Sequence, residues 1–127
     1  MAERQGWSEL HHLAYLYAAV ASRDGSITDD EADVLCRRLH RWHSDMAITR
    51  IIPVVMAAVR ALSRDSEGQR DRQIAESVGV VADALDEGGR ATAFQDLRAI
   101  AEADSDLHAR EGQMLGEIQE AWRVSSG

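Results

Sequence analysis

The chain has no lysine, one cysteine, one proline and few aromatic residues, with three Trp, two Tyr and one Phe among 127 positions. Each shortage removes a class of protein. Every basic side chain is an arginine and the formal net charge is −8. Phosphate backbones need clustered basic residues, and none are visible, so nucleic acid is not an expected partner. The lone thiol of Cys36 excludes an internal disulfide and fits a reducing compartment. No apolar run approaches the roughly 20 residues of a membrane span, and the polar start Met1-Ala2-Glu3-Arg4-Gln5 is unlike a secretory leader. A cytoplasmic protein without membrane insertion is expected. Its acidic balance suits cations or basic protein surfaces.

The length fits a single domain over residues 1–127 with a real core, and the polar ends, 1–7 and 124–127, read as flexible. Within it, apolar residues recur at helical spacing. Ser8 is a good N-cap for a helix carrying Leu10, Leu13, Tyr17 and Val20. Asp24-Gly25 stops that helix, and Thr28 with Glu31 forms a capping box for the next, whose inner stripe is Val34, Leu35, Leu39 and Trp42. Ile48, Ile52, Val55, Val59 and Leu62 keep the period around Pro53, which predicts a short helix before the proline and a longer one after it. Ile74, Val78, Val81 and Leu85 define a fifth helix, broken by Gly88-Gly89. Phe94, Leu97 and Ile100 belong to the sixth, and Met114, Leu115, Ile118 and Trp122 to the last. No stretch alternates as a half-buried strand does, so the expected fold is all-α with about seven helices.

The two ends of the chain resemble each other. A shift of eighty residues pairs Ala19 with Ala99, Asp24 with Asp104, Glu31 with Glu111, Leu35 with Leu115 and Trp42 with Trp122. The matches fall on apolar positions and on acids, as in a duplicated helix–turn–helix. Two similar hairpins, one at each end and joined by the middle helices, are therefore expected.

Both hairpins turn at an acidic corner: Asp24-Gly25-Ser26-Ile27-Thr28-Asp29-Asp30-Glu31 and Asp104-Ser105-Asp106-Leu107-His108-Ala109-Arg110-Glu111. Hard cations such as calcium or magnesium take oxygen ligands of this kind. A full EF-hand is excluded, because its first two ligand positions would fall on Val20 and Ser22, and on Ile100 and Glu102 in the second copy. What remains is a shorter corner in which Asp24 and Glu31, joined by Ser26, Asp29 or Asp30, supply oxygens. A plainer reading stands beside it. Asp-Gly is a turn dipeptide, Glu31 is a capping-box partner, and acids in a first helical turn complement the helix dipole.

These paired corners, each preceded by an Ala-rich helix, resemble the TerB-like family of bacterial tellurite-resistance proteins over nearly the whole chain. The resemblance implies an all-helical fold and a role in tellurite resistance or stress response without enzymatic activity. It also implies divalent-cation binding, with Asp24 and Glu31 matching the motif at the first corner and Asp104 and Glu111 at the second; Asp30, next to Glu31, joins the expected ligands from the local reading of the corner. Related domains are fused to membrane-anchored co-chaperones, so protein partners in a membrane-associated complex are implied as well. The second corner departs from the pattern, with Ser105 in place of the glycine and Arg110 beside Glu111. The alternative is a metal-free helical interaction domain whose acidic turns are only caps.

Other constellations carry less. Glu9 and His12 form one half of a di-iron helix motif whose second half is missing, and they read as surface residues. His40 and His43 suit an exposed helix end. Cys36 reads as a structural thiol. The three tryptophans read as seals between helix ends and the core. No nucleotide-binding glycine loop, nucleophile elbow or paired-histidine zinc motif is present, so no enzymatic activity is expected.

Overall fold

The computed structural model describes residues 7–22, 27–103 and 109–124, and their side chains apart from those of 43, 103 and 109–111. The described residues form six α-helices: α1 (Glu9–Ala21), α2 (Asp29–His40), α3 (Ile48–Arg64), α4 (Glu67–Ala84), α5 (Glu87–Ala103) and α6 (Ala109–Trp122). A 3-10 turn, Arg41–His43, follows α2. No strand occurs among the described residues. The all-α expectation holds.

The whole arrangement is built round α1. Every residue from His12 to Val20 is buried, so this helix has no solvent face over that stretch. It packs against α2, α3, α4 and α5. Ala14, Ala18 and Ala19 let neighbouring helices come close, while Leu13, Tyr15, Leu16 and Tyr17 fill the gaps between them. A large side chain taken wholly out of water contributes about 1.5–3 kcal/mol. Of α6's apolar positions, Ile118 and Trp122 reach the core, and α6 lies on α4 and α5.

The helix ends follow local chemistry. Ser66 and Gln69 form a capping box at the start of α4, with N–H···O distances of 3.2 and 2.7 Å. The Asp86 carboxylate accepts the Gly89 N–H at 2.7 Å and so caps α5. Gly88 and Gly89 therefore lie in the first turn of α5 and do not break a helix. At Gly89 an added Cβ would stand 3.2 Å from both Asp86 Oδ1 and Leu85 Cβ, so the tight cap favours the bare residue. Arg90 donates to the carbonyls of Ala82, Leu85 and Trp122, tying the ends of α4 and α6 together. Beyond α6, Arg123 takes φ 55°. The Val124 N–H then bonds to the Gln119 carbonyl at 3.1 Å, and that of Arg123 to Glu120 at 3.2 Å, which is a Schellman closure without glycine. Val124 and Trp7 both pack against the core. The rest of the expected flexible ends, 1–6 and 125–127, lies outside the described residues.

Three more expectations are corrected. The helix count falls from seven because α3 runs unbroken through Pro53. The missing amide leaves the Thr49 carbonyl without its helical donor, but Thr49 and Pro53 are both exposed, where water can serve instead. Val34, expected on the inner stripe, is exposed, and so are Ile48 and Ile52 of the α3 period. Their helices bury narrower stripes, through Leu35, Cys36 and Leu39 on α2 and Ile51, Val55, Ala58 and Leu62 on α3. Finally, His12 is buried, with Nδ1 2.9 Å from the Ser77 hydroxyl.

Candidate functional site

The first corner leaves α1 at Ser22, whose N–H bonds to the Ala18 carbonyl at 2.9 Å, and no basic side chain stands in the last turn of that helix. Three acids, Asp29, Asp30 and Glu31, occupy the first turn of α2. The Glu31 carboxylate accepts the Thr28 N–H at 2.8 Å through Oε1, and the Glu31 N–H donates to Thr28 Oγ1 at 3.1 Å. Both halves of the capping box are made, as Thr28-x-x-Glu31 predicts. Asp29 and Asp30 point to solvent. Asp33, one turn on, pairs with Arg37, and both are more than half exposed, so the pair adds little stability.

Of the five expected ligands, the structure describes the side chains of Asp30 and Glu31. Asp24 and Asp104 lie outside the described residues, as does Ser26. Glu111 belongs to the first turn of α6, and its side chain is likewise outside. Among the described residues, no three or more His, Cys, Asp and Glu side chains come together in a way that could hold a metal ion. The exposed Asp30 carboxylate and the second oxygen of Glu31 are the hard donors that calcium or magnesium takes.

The two hairpins correspond in their starting points. α2 begins at Asp29 and α6 at Ala109, eighty residues apart. Val20 and Ile100 are both buried, as the exclusion of an EF-hand requires. The surroundings differ. Trp42 is half-buried and donates Nε1–H to the Tyr17 hydroxyl at 3.2 Å. Trp122 is fully buried and donates to the Val78 carbonyl at 3.0 Å.

Sequence reading missed a buried polar cluster on the flank of α1. Asp96, on α5, is 4% exposed. Its Oδ2 accepts the Tyr17 hydroxyl at 2.7 Å, and its Oδ1 accepts Arg38 at 2.9 Å and Arg41 at 2.8 Å. One carboxylate thus joins α1, α2, the 3-10 turn and α5. Burial, then the bond to Asp96, pushes the Tyr17 hydroxyl far above its ordinary pKa. A second polar set crosses from α1 to α4: Trp7 stacks on His11 at 5.6 Å between ring centroids and meets His12 edge-on. The Ser77 hydroxyl facing His12 accepts from Gln73 at 3.1 Å. Burial lowers the His11 pKa. His40 donates Nε2–H to the Met46 carbonyl at 2.7 Å, so it serves the loop after α2. Cys36 is buried, and burial followed by nearby Asp33 raises its pKa. No sequence signal marked Asp96, because its partners lie more than fifty residues away.

No helix among the described residues is long and apolar enough to cross a membrane. No curated protein and no solved structure matches the chain. A family model described as "Tellurite resistance protein TerB" matches residues 10–127. That match takes in both acidic corners and all six helices from the second residue of α1 onward, and the chain therefore belongs to the TerB family of tellurite-resistance proteins.

Proposed function

We propose that this TerB-family chain is a non-enzymatic cytoplasmic module that binds or senses a divalent cation, with calcium the first candidate, in tellurite resistance or stress response. The observation that carries the reading is the acidic first turn of α2, Asp29, Asp30 and Glu31, on the helix that comes next in the chain after α1. The C-terminal carbonyls of a helix attract positive charge, and α1 brings no basic side chain of its own there. Asp24, Asp30 and Glu31 are the proposed ligands, with Asp104 and Glu111 a second set. A cation at the first corner would hold the α1–α2 angle, and a protein partner in a membrane-associated complex would read that angle.

The test is thermal unfolding with and without calcium. An ion bound only by the native state stabilises it by about 1.4 kcal/mol at ten times its dissociation constant, or about 5 °C for a chain of this size. Glu31→Gln is the discriminating variant, because glutamine also serves in a capping box but lacks the carboxylate charge. It should melt near the parent in EDTA and lose the calcium response, as should Asp24→Asn. An unchanged midpoint in the parent at millimolar calcium would sink the proposal. The second reading, a metal-free interaction domain, is favoured by the completed Thr28–Glu31 cap. It requires that parent and Glu31→Gln behave alike with and without the ion.

A further inference from the structure

Two surface features are left unexplained by the corners. The first lies on α3, where Ile48, Ile52 and Met56 stand at 39, 43 and 36% exposure. They fall four residues apart, so they form one line along the helix, and Arg60 continues it. α3 contains Arg50, Arg60 and Arg64, all exposed, and no Asp or Glu, in a chain of net charge −8. The second is an open groove of about 520 Å³ between α4 and α6. Its floor is Ile74, Val78, Met114 and Ile118, and Asp71 and Glu117 supply its charge. No arginine is among the described residues that line it.

We infer that the α3 face of one copy docks into the α4–α6 groove of a second copy. The charges are complementary: Arg60 and Arg64, which continue the apolar line at four-residue spacing, meet a groove charged by Asp71 and Glu117. The lengths agree too. From Ile48 to Met56 the stripe spans about 12 Å at 1.5 Å per residue, as does α6 from Gln113 to Ala121 along the groove. The two surfaces differ, so the contact is head-to-tail, and the pair keeps one free stripe on one copy and one free groove on the other. A line of three apolar side chains is small for a stable interface, so the association is weak and concentration-dependent. The inference is independent of the cation reading and holds equally in EDTA.

The experiment is sedimentation equilibrium of the full chain from micromolar to millimolar protein, in EDTA. Ile52→Glu blocks the stripe, and Ala75→Arg, at an exposed groove position, blocks the groove. The parent should associate, and each variant alone should stay monomeric with an unchanged circular-dichroism spectrum. Mixing the two should produce a species that stops at the dimer, because one intact stripe and one intact groove remain. Met56→Glu and Ala121→Arg repeat the test should either first variant fail to fold. A parent that stays monomeric at millimolar concentration overturns the inference. So does association that survives Ala75→Arg while Ile52→Glu abolishes it, since the stripe would then pair with itself. A mixture that stays monomeric overturns it as well.

Discussion

Tyr17 combines a buried ring with two polar ties, giving its hydroxyl to Asp96 and accepting from Trp42. Tyr17→Phe keeps the ring but leaves the buried Asp96 short of a donor, at an expected cost of about 1–3 kcal/mol. Urea unfolding at neutral pH measures it. The pH dependence follows from the raised hydroxyl pKa. The folded state holds that proton more tightly than the unfolded chain, so the stabilisation is complete below the ordinary tyrosine pKa of about 10 and is lost as pH rises beyond it. The parent's alkaline loss of stability should therefore be shallower in Tyr17→Phe, and an unchanged slope would count against the assignment. At this scale the sequence discloses what is local. Thr28 and Glu31 are three apart, and their cap is legible as a pattern. Asp96 and His12 meet partners that only the folded chain brings near, and nothing in their neighbours marks them as buried.

Elements were legible by type, less so at their joints. All the helices are visible as periodic runs, because each buries one apolar stripe or more. The errors fell where a residue's usual effect is overridden by position. Gly88 and Gly89 suggest a break, but Asp86 turns them into a helix start. Pro53 suggests another, but α3 carries it on its exposed face. Pro53→Ala should restore the amide bond to the Thr49 carbonyl. A proline inside a helix costs about 3 kcal/mol relative to alanine, and solvation of the carbonyl recovers part of this. The variant should therefore be more stable by about 1–3 kcal/mol, read as a higher urea midpoint. An unchanged or lower midpoint would mean that the proline is accommodated at no cost.

At the level of the whole molecule, periodicity placed α1 correctly as a helix but presented it as one-sided. Leu10, Leu13, Tyr17 and Val20 make a stripe, whereas the structure encloses His12 to Val20 on every side. Alanines explain the difference, since a small apolar residue fits a surface or a crowded interior equally well. Periodicity likewise grouped Ile48 and Ile52 with Val55 and Leu62, although only the latter two are buried. Amide hydrogen exchange should find α1 the last segment to open, with protection equal to the global unfolding free energy. Faster exchange in α1 than in α4 would contradict its central place. The Thr28–Glu31 cap of the first corner was legible, while the ligand role of Asp24 and Glu31 is a matter for calcium titration.

The enclosure of α1 also bears on how this chain tolerates change. A substitution at Ala14 or Ala18 must satisfy several helices at once, so volume added there has no direction in which to escape. Along α4 and α6, exposed positions such as Gly79 and Gly116 have open space around them. Sequence drift in this lineage is thus expected to accumulate on the outer helices and leave the first almost frozen.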